Sequence, residues 1–331
     1  MSLSLKEFKE RFVNDLLEIH WRHWPAAGVS SHVQSEGYWT VDLEAMIVST
    51  LAVGLHDSRI LSASLEWLIS NGQWVNLSRL KRIVKVFLEK STVVNGPVLT
   101  PGVFNLMTDT HNKFAQKTIF SKGSDTPDPE RVSVKEYEEI FSAFQIKGVV
   151  TEPKVQQPPL LQLLLRSVFG VDARVEVLIY LLLNPGGNSN SIAREVFYDQ
   201  KNVYRILGRW KKAGVVTKVA GKKIGDYYLE RESEWLNLLG LKEKPGYLNW
   251  VRTFLVLDQL AKALSTSPWS DDEYLLSSLF RDLLPEVRLI GKPLKVQVPE
   301  PDSYPGARYL EPFGRAVLDI LGGLKGDNIR R

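Results

Sequence analysis

The chain has 331 residues, with 42 lysines and arginines against 38 aspartates and glutamates, and it contains no cysteine. This length predicts two or three domains that each bury a core, and the lack of cysteine excludes disulfides, thiol catalysis and thiolate metal sites. The net charge of +4 is mild, so it favours a polyanionic partner only weakly. No apolar run approaches the roughly 18 residues of a membrane span, and the N-terminus lacks the apolar core of a signal peptide. These features predict a cytoplasmic protein that does not contact a membrane.

The first predicted element is an amphipathic helix over residues 5–24, which Pro25 should end. Two of its histidines, His20 and His23, lie three residues apart, and His32 follows nearby. A metal site would use such residues, but the chain has no HExxH motif and no carboxylate at a suitable spacing. Aromatic packing is therefore the preferred interpretation, and no metal site is predicted.

Three further helices are predicted over residues 41–55, 58–70 and 77–89. The last of them has a basic face that is predicted to point outward, formed by Arg79, Lys81, Arg82 and Lys85. This helix could belong to a second helix-turn-helix, but residues 91–101 hold at most a short hairpin arm and no wing. A helical bundle with a solvated basic face is the preferred interpretation.

Tryptophan is concentrated in the first quarter of the chain, which holds five of the nine residues of this type. They are Trp21, Trp24, Trp39, Trp67 and Trp74. The concentration predicts either a large aromatic core or an apolar surface for a ligand or partner, and the residues alone leave both open.

Two segments of turn-forming composition, residues 121–129 and 151–159, are predicted as loops. The second contains three prolines and is predicted to be an extended linker at the main domain boundary. Between the two loops, Ser133-x-x-Glu136 matches a capping box and predicts a helix to about residue 144. His111 lies in a polar cluster upstream, but neither a serine elbow nor an acid–base partner at a recognisable spacing supports catalysis there.

The C-terminal part is also predicted to be mainly helical. Helices are expected over residues 247–264, from the capping box Ser270-x-x-Glu273 to Pro285, and over residues 313–321, where Gly322 and Gly323 should end the last one. Residues 287–298 contain short strand-like pieces between these helices.

Three predicted helices in the middle of the chain indicate a function. A helix over residues 173–183 is followed by a short helix over residues 191–197, which a Ser or Asn at 188–191 would cap, and, after a turn at residues 198–200, by a second helix to about residue 213. The apolar residues of this second helix follow the helical repeat and form a buried stripe. They are Val203, Ile206, Leu207 and Trp210.

A β-hairpin is predicted directly after these helices. Gly214 suits the left-handed end of a helix, and strands over residues 215–219 and 227–229 flank a loop that contains glycines and two lysines. Between Arg194 and Lys223 there are nine lysines and arginines against two acids, a local charge of +7. A cationic helix face, with Gly208 on it, and a lysine-bearing loop together favour contact with a phosphate backbone.

Several short motifs in this stretch match one known type of protein. They are Ser191-Ile192-Ala193, Val203-x-Arg205-x-Leu207, Trp210-x-x-Ala213-Gly214-Val215-Val216 and Tyr228-x-Glu230. Over residues 172–232 the chain thereby resembles the winged helix-turn-helix transcriptional regulators of the multiple-antibiotic-resistance and arsenical-resistance repressor type. The resemblance implies that the second helix enters the DNA major groove and that the hairpin, or wing, touches the phosphate backbone.

This resemblance implies which residues would contact duplex DNA. The first turns of the second helix hold residues suited to base edges, namely Gln200, Lys201, Asn202, Tyr204 and Arg205. Cations further along the helix and in the wing would meet phosphates, namely Arg209, Lys211, Lys212, Lys222 and Lys223. Whether Arg205 meets a base or a phosphate stays open.

The predicted fold is mainly α and multi-domain, with a central winged helix between helical flanking domains. The predicted boundaries are an N-terminal helical domain over residues 1–150, a linker over 151–159, a winged-helix domain over 160–243 and a C-terminal helical domain over 244–331. Because palindromic DNA sites need two copies, a homodimer is expected, through residues 160–169 or the helix that follows Tyr247.

The predicted function is that of a DNA-binding transcriptional regulator. One alternative is a protein-interaction or antitoxin-like module in which the winged helix docks a protein partner. Another is a regulator that senses a small-molecule effector in its tryptophan-rich N-terminal domain. The chain lacks GxGxxG, GxxxxGK[ST] and any diagnostic carboxylate pair, so neither enzymatic activity nor a cofactor is predicted.

Overall fold

The computed structural model describes residues 3–32, 37–89, 99–117, 119–120, 131–219 and 225–326, with the backbone alone for 131–134. Over these residues the chain forms fourteen α-helices, five short 3-10 helices and one two-stranded antiparallel sheet. The predicted mainly α class is therefore confirmed. The described residues contain no helix that is both long enough and apolar enough to span a membrane.

The bounds of the elements follow in chain order. The first seven helices are α1 (Leu5–Ala26), α2 (Leu43–Val53), α3 (Ser58–Asn71), α4 (Leu77–Glu89), α5 (Pro101–Phe114), α6 (Arg131–Ser142) and α7 (Leu161–Phe169). The other seven are α8 (Ala173–Leu183), α9 (Ser189–Val196), α10 (Gln200–Lys212), α11 (Glu232–Leu238), α12 (Trp250–Ser265), α13 (Glu273–Gly291) and α14 (Leu310–Lys325). The strands are β1 (Val216–Val219) and β2 (Asp226–Leu229).

Short polar side chains determine where many of these helices begin. Their oxygens accept hydrogen bonds from backbone N–H groups of the first turn, which have no partner within the helix. The N-cap residues with such a bond include Asp42, Asp57, Asp172, Asn188, Asp199, Asn249 and Asp272. Each is polar and immediately precedes an apolar periodic stretch, which is why most helix starts were predictable within a few residues.

The largest hydrophobic core is shared by the two ends of the chain. Its buried residues come from residues 3–163 and 248–324, and α1 packs along α14 while α2 packs against α12. Phe8 of α1 contacts Phe280 of α13, which stacks on Phe313 of α14 at 4.3 Å between ring centroids. We call α1–α6 with α12–α14 the body. The predicted boundaries at residues 150 and 244 stay predictions, but the segments outside them bury one common core.

The aromatic residues of the N-terminal part lie largely inside the body. Trp24 and Trp67 are fully buried, and their indole N–H groups donate to Thr50 and to the carbonyl of Ala27. Of the two interpretations of the tryptophan concentration, these two residues match the aromatic core, because both are buried and both of their indole N–H groups have a partner.

His20 and His23, for which aromatic packing is the preferred interpretation, also lie in this aromatic core. His20 packs on the ring of Phe254, and His23 packs edge-on against Trp250. Burial lowers the pKa of His20 to about 4, opposed by a hydrogen bond with the carbonyl of Leu16. Among the described residues, no group of three or more His, Asp or Glu is placed to hold a metal ion.

Residues 151–159 are not extended. Backbone hydrogen bonds from the N–H groups of Val155 and Gln157 to the carbonyls of Pro153 and Lys154 form successive turns. The segment is also bonded to the body, because the Thr151 N–H donates to the carbonyl of Gly28 at 2.9 Å. The prolines limit the local φ angles, but they do not prevent these tertiary contacts.

The remaining elements, α7–α11 with β1 and β2, form what we call the central unit. One of its clusters of buried side chains joins α8, α9, α10 and the sheet, and includes Val177, Ile192, Val203 and Tyr227. A second cluster lies between α7, α8 and the segment after α11. The central unit is therefore packed around its own apolar side chains as well as against the body.

Four predicted features of the flanking helices are wrong. Pro25 lies within the last turn of α1 and Pro285 lies inside α13, so neither proline ends its helix. Residues 287–298 continue α13 and then form a 3-10 helix rather than strands. The N-cap of α13 is Asp272 and not Ser270. Buried residues on both sides of Pro285 hold the helix together although the proline removes one backbone donor.

Two further predictions, one at Gly322 and Gly323 and one at Ser133, differ from the structure. Gly322 and Gly323 lie inside α14, where Gly323 approaches Leu294 closely. Ser133 lies within α6, which begins at Arg131, so the predicted capping box does not start that helix. At Gly323 the contact with Leu294 is absent from any local sequence pattern.

Candidate nucleic-acid interface

Two consecutive helices and the turn between them form the centre of the candidate interface. The side chain of Asn188 accepts hydrogen bonds from two N–H groups at the start of α9. Asp199 caps α10 in the same way, with 3.2 Å between its Oδ1 and the N–H of Asn202. Asn188 lies within the range predicted for the first cap, whereas Asp199 was predicted only as part of the turn. Gly214 follows α10 with a φ of 71°, the left-handed conformation predicted for it.

A third short stretch of backbone, just before α9, is hydrogen-bonded to the β-hairpin. β1 and β2 pair antiparallel in the register Val216↔Leu229, and Gly187, just before α9, exchanges two backbone hydrogen bonds with Tyr227 of β2. A Cβ on Gly186 would lie 2.6 Å from the carbonyl oxygen of Tyr227, so this close approach requires glycine. The sequence pattern indicated only a turn at these glycines.

The predicted contact residues of α10 lie together on its exposed face. Val203, Ile206 and Leu207 are buried on the opposite face. The exposed residues are Gln200, Lys201, Asn202, Tyr204, Arg205, Arg209, Lys211 and Lys212. Tyr204 has 54% of its surface exposed, which is high for a tyrosine. The first two turns of the exposed face thus carry amide and tyrosine side chains together with Lys201 and Arg205, and the turns that follow carry mainly cations.

The cations of this face are not neutralised by neighbouring acids. Within the described residues, no carboxylate lies within ion-pair distance of Lys201, Arg205, Arg209, Lys211 or Lys212. Gln200 is different, because its Nε2 donates to Ser189 Oγ at 3.1 Å and ties the start of α10 to the start of α9. Lys222 and Lys223 lie outside the described residues.

One lysine of the hairpin interacts with the sheet itself. Lys218 Nζ lies 5.2 Å from the centre of the Tyr227 ring, a cation–π geometry. Val219 and Tyr228 are also exposed, and in this register they lie on the other face of the sheet. The hairpin therefore adds exposed aromatic and apolar surface to the central unit.

A buried ion cluster lies where the central unit meets the body. It consists of Asp42 and Glu44 at the start of α2, Arg79 of α4, Arg166 of α7 and Glu176 of α8. Arg79 binds both acids of α2 at 2.5 and 2.8 Å, and Arg166 joins Glu44 to Glu176 at 2.7 and 2.6 Å. The prediction that Arg79 points outward is wrong, since only 2% of it is exposed.

The ion cluster also holds the end of α9. Arg79 Nε donates to the carbonyl of Val196 at 3.0 Å, one of the last carbonyls of that helix, which have no partner within it. Burial alone would raise the pKa of Glu44, but the charges of Arg166 and Arg79 and their hydrogen bonds lower it to about 2. The carboxylate is therefore ionised, and both guanidiniums stay charged.

The two aromatic residues of the turn between α9 and α10 pack against different hydrophobic cores. Phe197 adopts a left-handed conformation with φ of 57° and packs on the core of the body. Tyr198 packs on the core of the central unit, and its buried hydroxyl has no hydrogen-bond partner among the described residues. Burial raises the pKa of this phenol, so it is neutral. The two adjacent aromatic rings thus join the start of α10 to both cores.

A chain of hydrogen-bonded serine, histidine and aspartate side chains lies buried in the body. These are the residue types of a hydrolase active site, but they are not accessible to a substrate. Ser49 Oγ bonds to His20 Nε2 and to Asp258 Oδ1, each at 3.0 Å. All three residues are buried, Ser49 completely, and burial raises the pKa of Asp258 well above its usual range. A substrate cannot reach this serine in the folded protein, and the bonds satisfy the polar groups of Ser49 and His20, while Oδ2 of Asp258 has no partner among the described residues.

Comparisons with known proteins identify no relative. No family model matches the chain, and no curated protein or solved structure matches it either.

Proposed function

We propose that the protein binds duplex DNA through α10 and the hairpin that follows it, and acts as a transcriptional regulator. The order of α8, α9, α10, β1 and β2 is that of a winged helix, in which the third of these helices enters the major groove. The observation that supports this proposal most is the exposed face of α10. Its cations have no acid partner among the described residues, while its apolar face is fully packed.

Different parts of this face have different roles in the proposal. Gln200, Lys201, Asn202, Tyr204 and Arg205 occupy the first turns, where side chains reach base edges, and arginine suits guanine while asparagine and glutamine suit adenine. Arg209, Lys211 and Lys212, with Lys222 and Lys223 of the hairpin loop, contact phosphates and release counterions.

The proposed assembly is a homodimer, since palindromic sites demand two recognition helices. Of the two segments considered for the contact, α12 is buried within the chain on nearly all its positions. The end of α7 is more suitable, because Val168 is 63% exposed and Phe169 beside it is also exposed. The proposed dimer contact therefore lies at the end of α7.

The test is a fluorescence anisotropy titration of labelled random duplex DNA at about 50 and 200 mM salt. Five phosphate contacts by a single chain predict that the affinity falls by roughly several hundred-fold between these concentrations, and the ten contacts of the proposed homodimer predict a fall of roughly 10⁵-fold. Absent binding, or an affinity that does not change with salt, would contradict the proposal and leave the protein-docking alternative in its place. A normal thermal melt under both conditions is the control for folding.

A further inference from the structure

A cavity lies between the body and the turn that precedes α10. It has a volume of about 670 Å³ and is lined by residues of α4, α9, α12 and α13 and by Phe197 and Tyr198. Its floor is apolar and buried, and includes Leu255, Val256 and Leu283. Cavities of this size commonly bury most of a small organic ligand. This site is distinct from the tryptophan-rich core, where an effector site was considered from the sequence.

The rim of the cavity holds charges of both signs that do not neutralise each other. Arg82 of α4 and Arg194 of α9 lie on it, as do Asp282 and Glu286, one turn apart on α13. Within the described part of the chain, none of these four side chains has an ion-pair or hydrogen-bond partner. The third arginine of the lining, Arg252, already pairs with Glu195 at 3.3 Å. The rim thus offers separate places for an anionic and a cationic group.

The position of the cavity connects it to α10. Phe197 and Tyr198 form part of its lining, and Asp199, the next residue, is the N-cap of α10. A molecule in the cavity would therefore contact the two residues that orient the start of α10.

We propose that this cavity binds a small zwitterionic molecule with an apolar body, of the size and character of a short apolar peptide. Its carboxylate pairs with Arg82 and Arg194, its ammonium group pairs with Asp282 and Glu286, and its apolar part covers Leu255 and the floor. Binding changes the packing of Phe197 and Tyr198 and thereby the affinity of α10 for DNA. This last step rests on the proposed function, whereas the binding of the ligand does not.

Calorimetric titration of the full chain with the tripeptide Leu-Phe-Leu, in the absence of DNA, tests the site. We expect saturable binding that weakens by about 3- to 5-fold when either terminus is capped, the effect of losing one exposed charge contact. R194Q and D282N should weaken binding of the uncapped peptide by a similar factor. K292Q and E138Q, at exposed positions outside the cavity lining, are the matched controls and should leave it unchanged.

Two results would overturn the assignment of the site. One is the absence of binding by a protein whose thermal melt is normal, and the other is equal affinity for the capped and uncapped peptides. The coupling is measured separately, by adding saturating peptide to the DNA titration at one salt concentration. A shift of about 3-fold or more in DNA affinity that D282N reduces supports the coupling. Peptide binding with unchanged DNA affinity overturns the coupling, and absent DNA binding contradicts the proposed function alone.

Discussion

Helices α4 and α10 are both 13 residues long and both have a basic face next to an apolar stripe. In α10 the cations point into solvent. In α4 the first arginine, Arg79, is buried against Asp42 and Glu44 of α2, while Lys81 and Lys85 further along are exposed. Lys85 also pairs with Glu89 at 3.4 Å on the same helix. Two similar sequence patterns therefore give one internal ion cluster and one uncompensated surface.

The difference shows that a basic helix face has no fixed meaning by itself. Its role depends on where acids from other elements lie. The carboxylates of α2 approach the start of α4, whereas no carboxylate of the described residues approaches the middle or end of the α10 face. An arginine that is buried with acids stabilises the junction of two elements, while an unpaired exposed arginine is available for a polyanion.

The largest effect on stability is expected from a substitution in the buried ion cluster. Glu44 is fully buried between two arginines, so E44Q leaves their charges poorly compensated. We expect the free energy of unfolding to fall by roughly 3 to 5 kcal/mol, measured by urea denaturation. E7Q removes the exposed pair of Glu7 with Arg11 and should change it by about 0.5 kcal/mol or less. Similar small effects for both variants would contradict the role assigned to the ion cluster.

The difference in stability between the wild type and E44Q should also depend on pH. Because the pKa of Glu44 is lowered to about 2 from 4.5, its contribution to stability is complete above pH 4.5 and is lost as pH falls towards 2. The advantage of the wild type over E44Q should therefore shrink by roughly 3 kcal/mol over this window. His20 also loses stabilising free energy between pH 6.5 and about 4, but it does so in both proteins and cancels in the difference.

One substitution in each helix tests whether its exposed cations contribute to DNA binding. R205A removes a cation from the turns of α10 that are proposed to contact DNA, and K81A removes an exposed cation from α4. We expect R205A to weaken DNA binding by about 10-fold and K81A to leave it nearly unchanged, in anisotropy titrations at one salt concentration. Both residues are exposed, so thermal melts should stay normal. An equal loss for the two variants would indicate a general charge effect rather than an interface on α10.

The smallest effect concerns Gly208 on the exposed side of α10. A Cβ there would meet nothing within 4 Å, so G208A should stabilise the folded protein by roughly 0.5 to 1 kcal/mol through its better helix propensity. If the backbone of α10 approaches DNA closely at this residue, the same variant should bind DNA more weakly. Higher stability with unchanged DNA affinity would place Gly208 outside the contact region.

Local sequence patterns determined most of the central unit. The start of α10 follows from Asp199, its buried face follows from the spacing of Val203, Ile206 and Leu207, and its end follows from Gly214. These features depend on hydrogen bonds and conformations within a few residues. The exposure of Arg205 and its neighbours follows from the same periodicity, because a helix that buries one stripe must present the opposite one.

Contacts between distant residues were decided only by the tertiary structure. The burial of Arg79, the continuation of α13 through Pro285 and the common core of α1 and α14 each depend on partners far away in the sequence. The cavity beside Phe197 is of the same kind, since four helices from different parts of the chain enclose it. Helix periodicity indicates which face is apolar, but the partner that covers a face, or the acid that meets a cation, is set by packing in three dimensions.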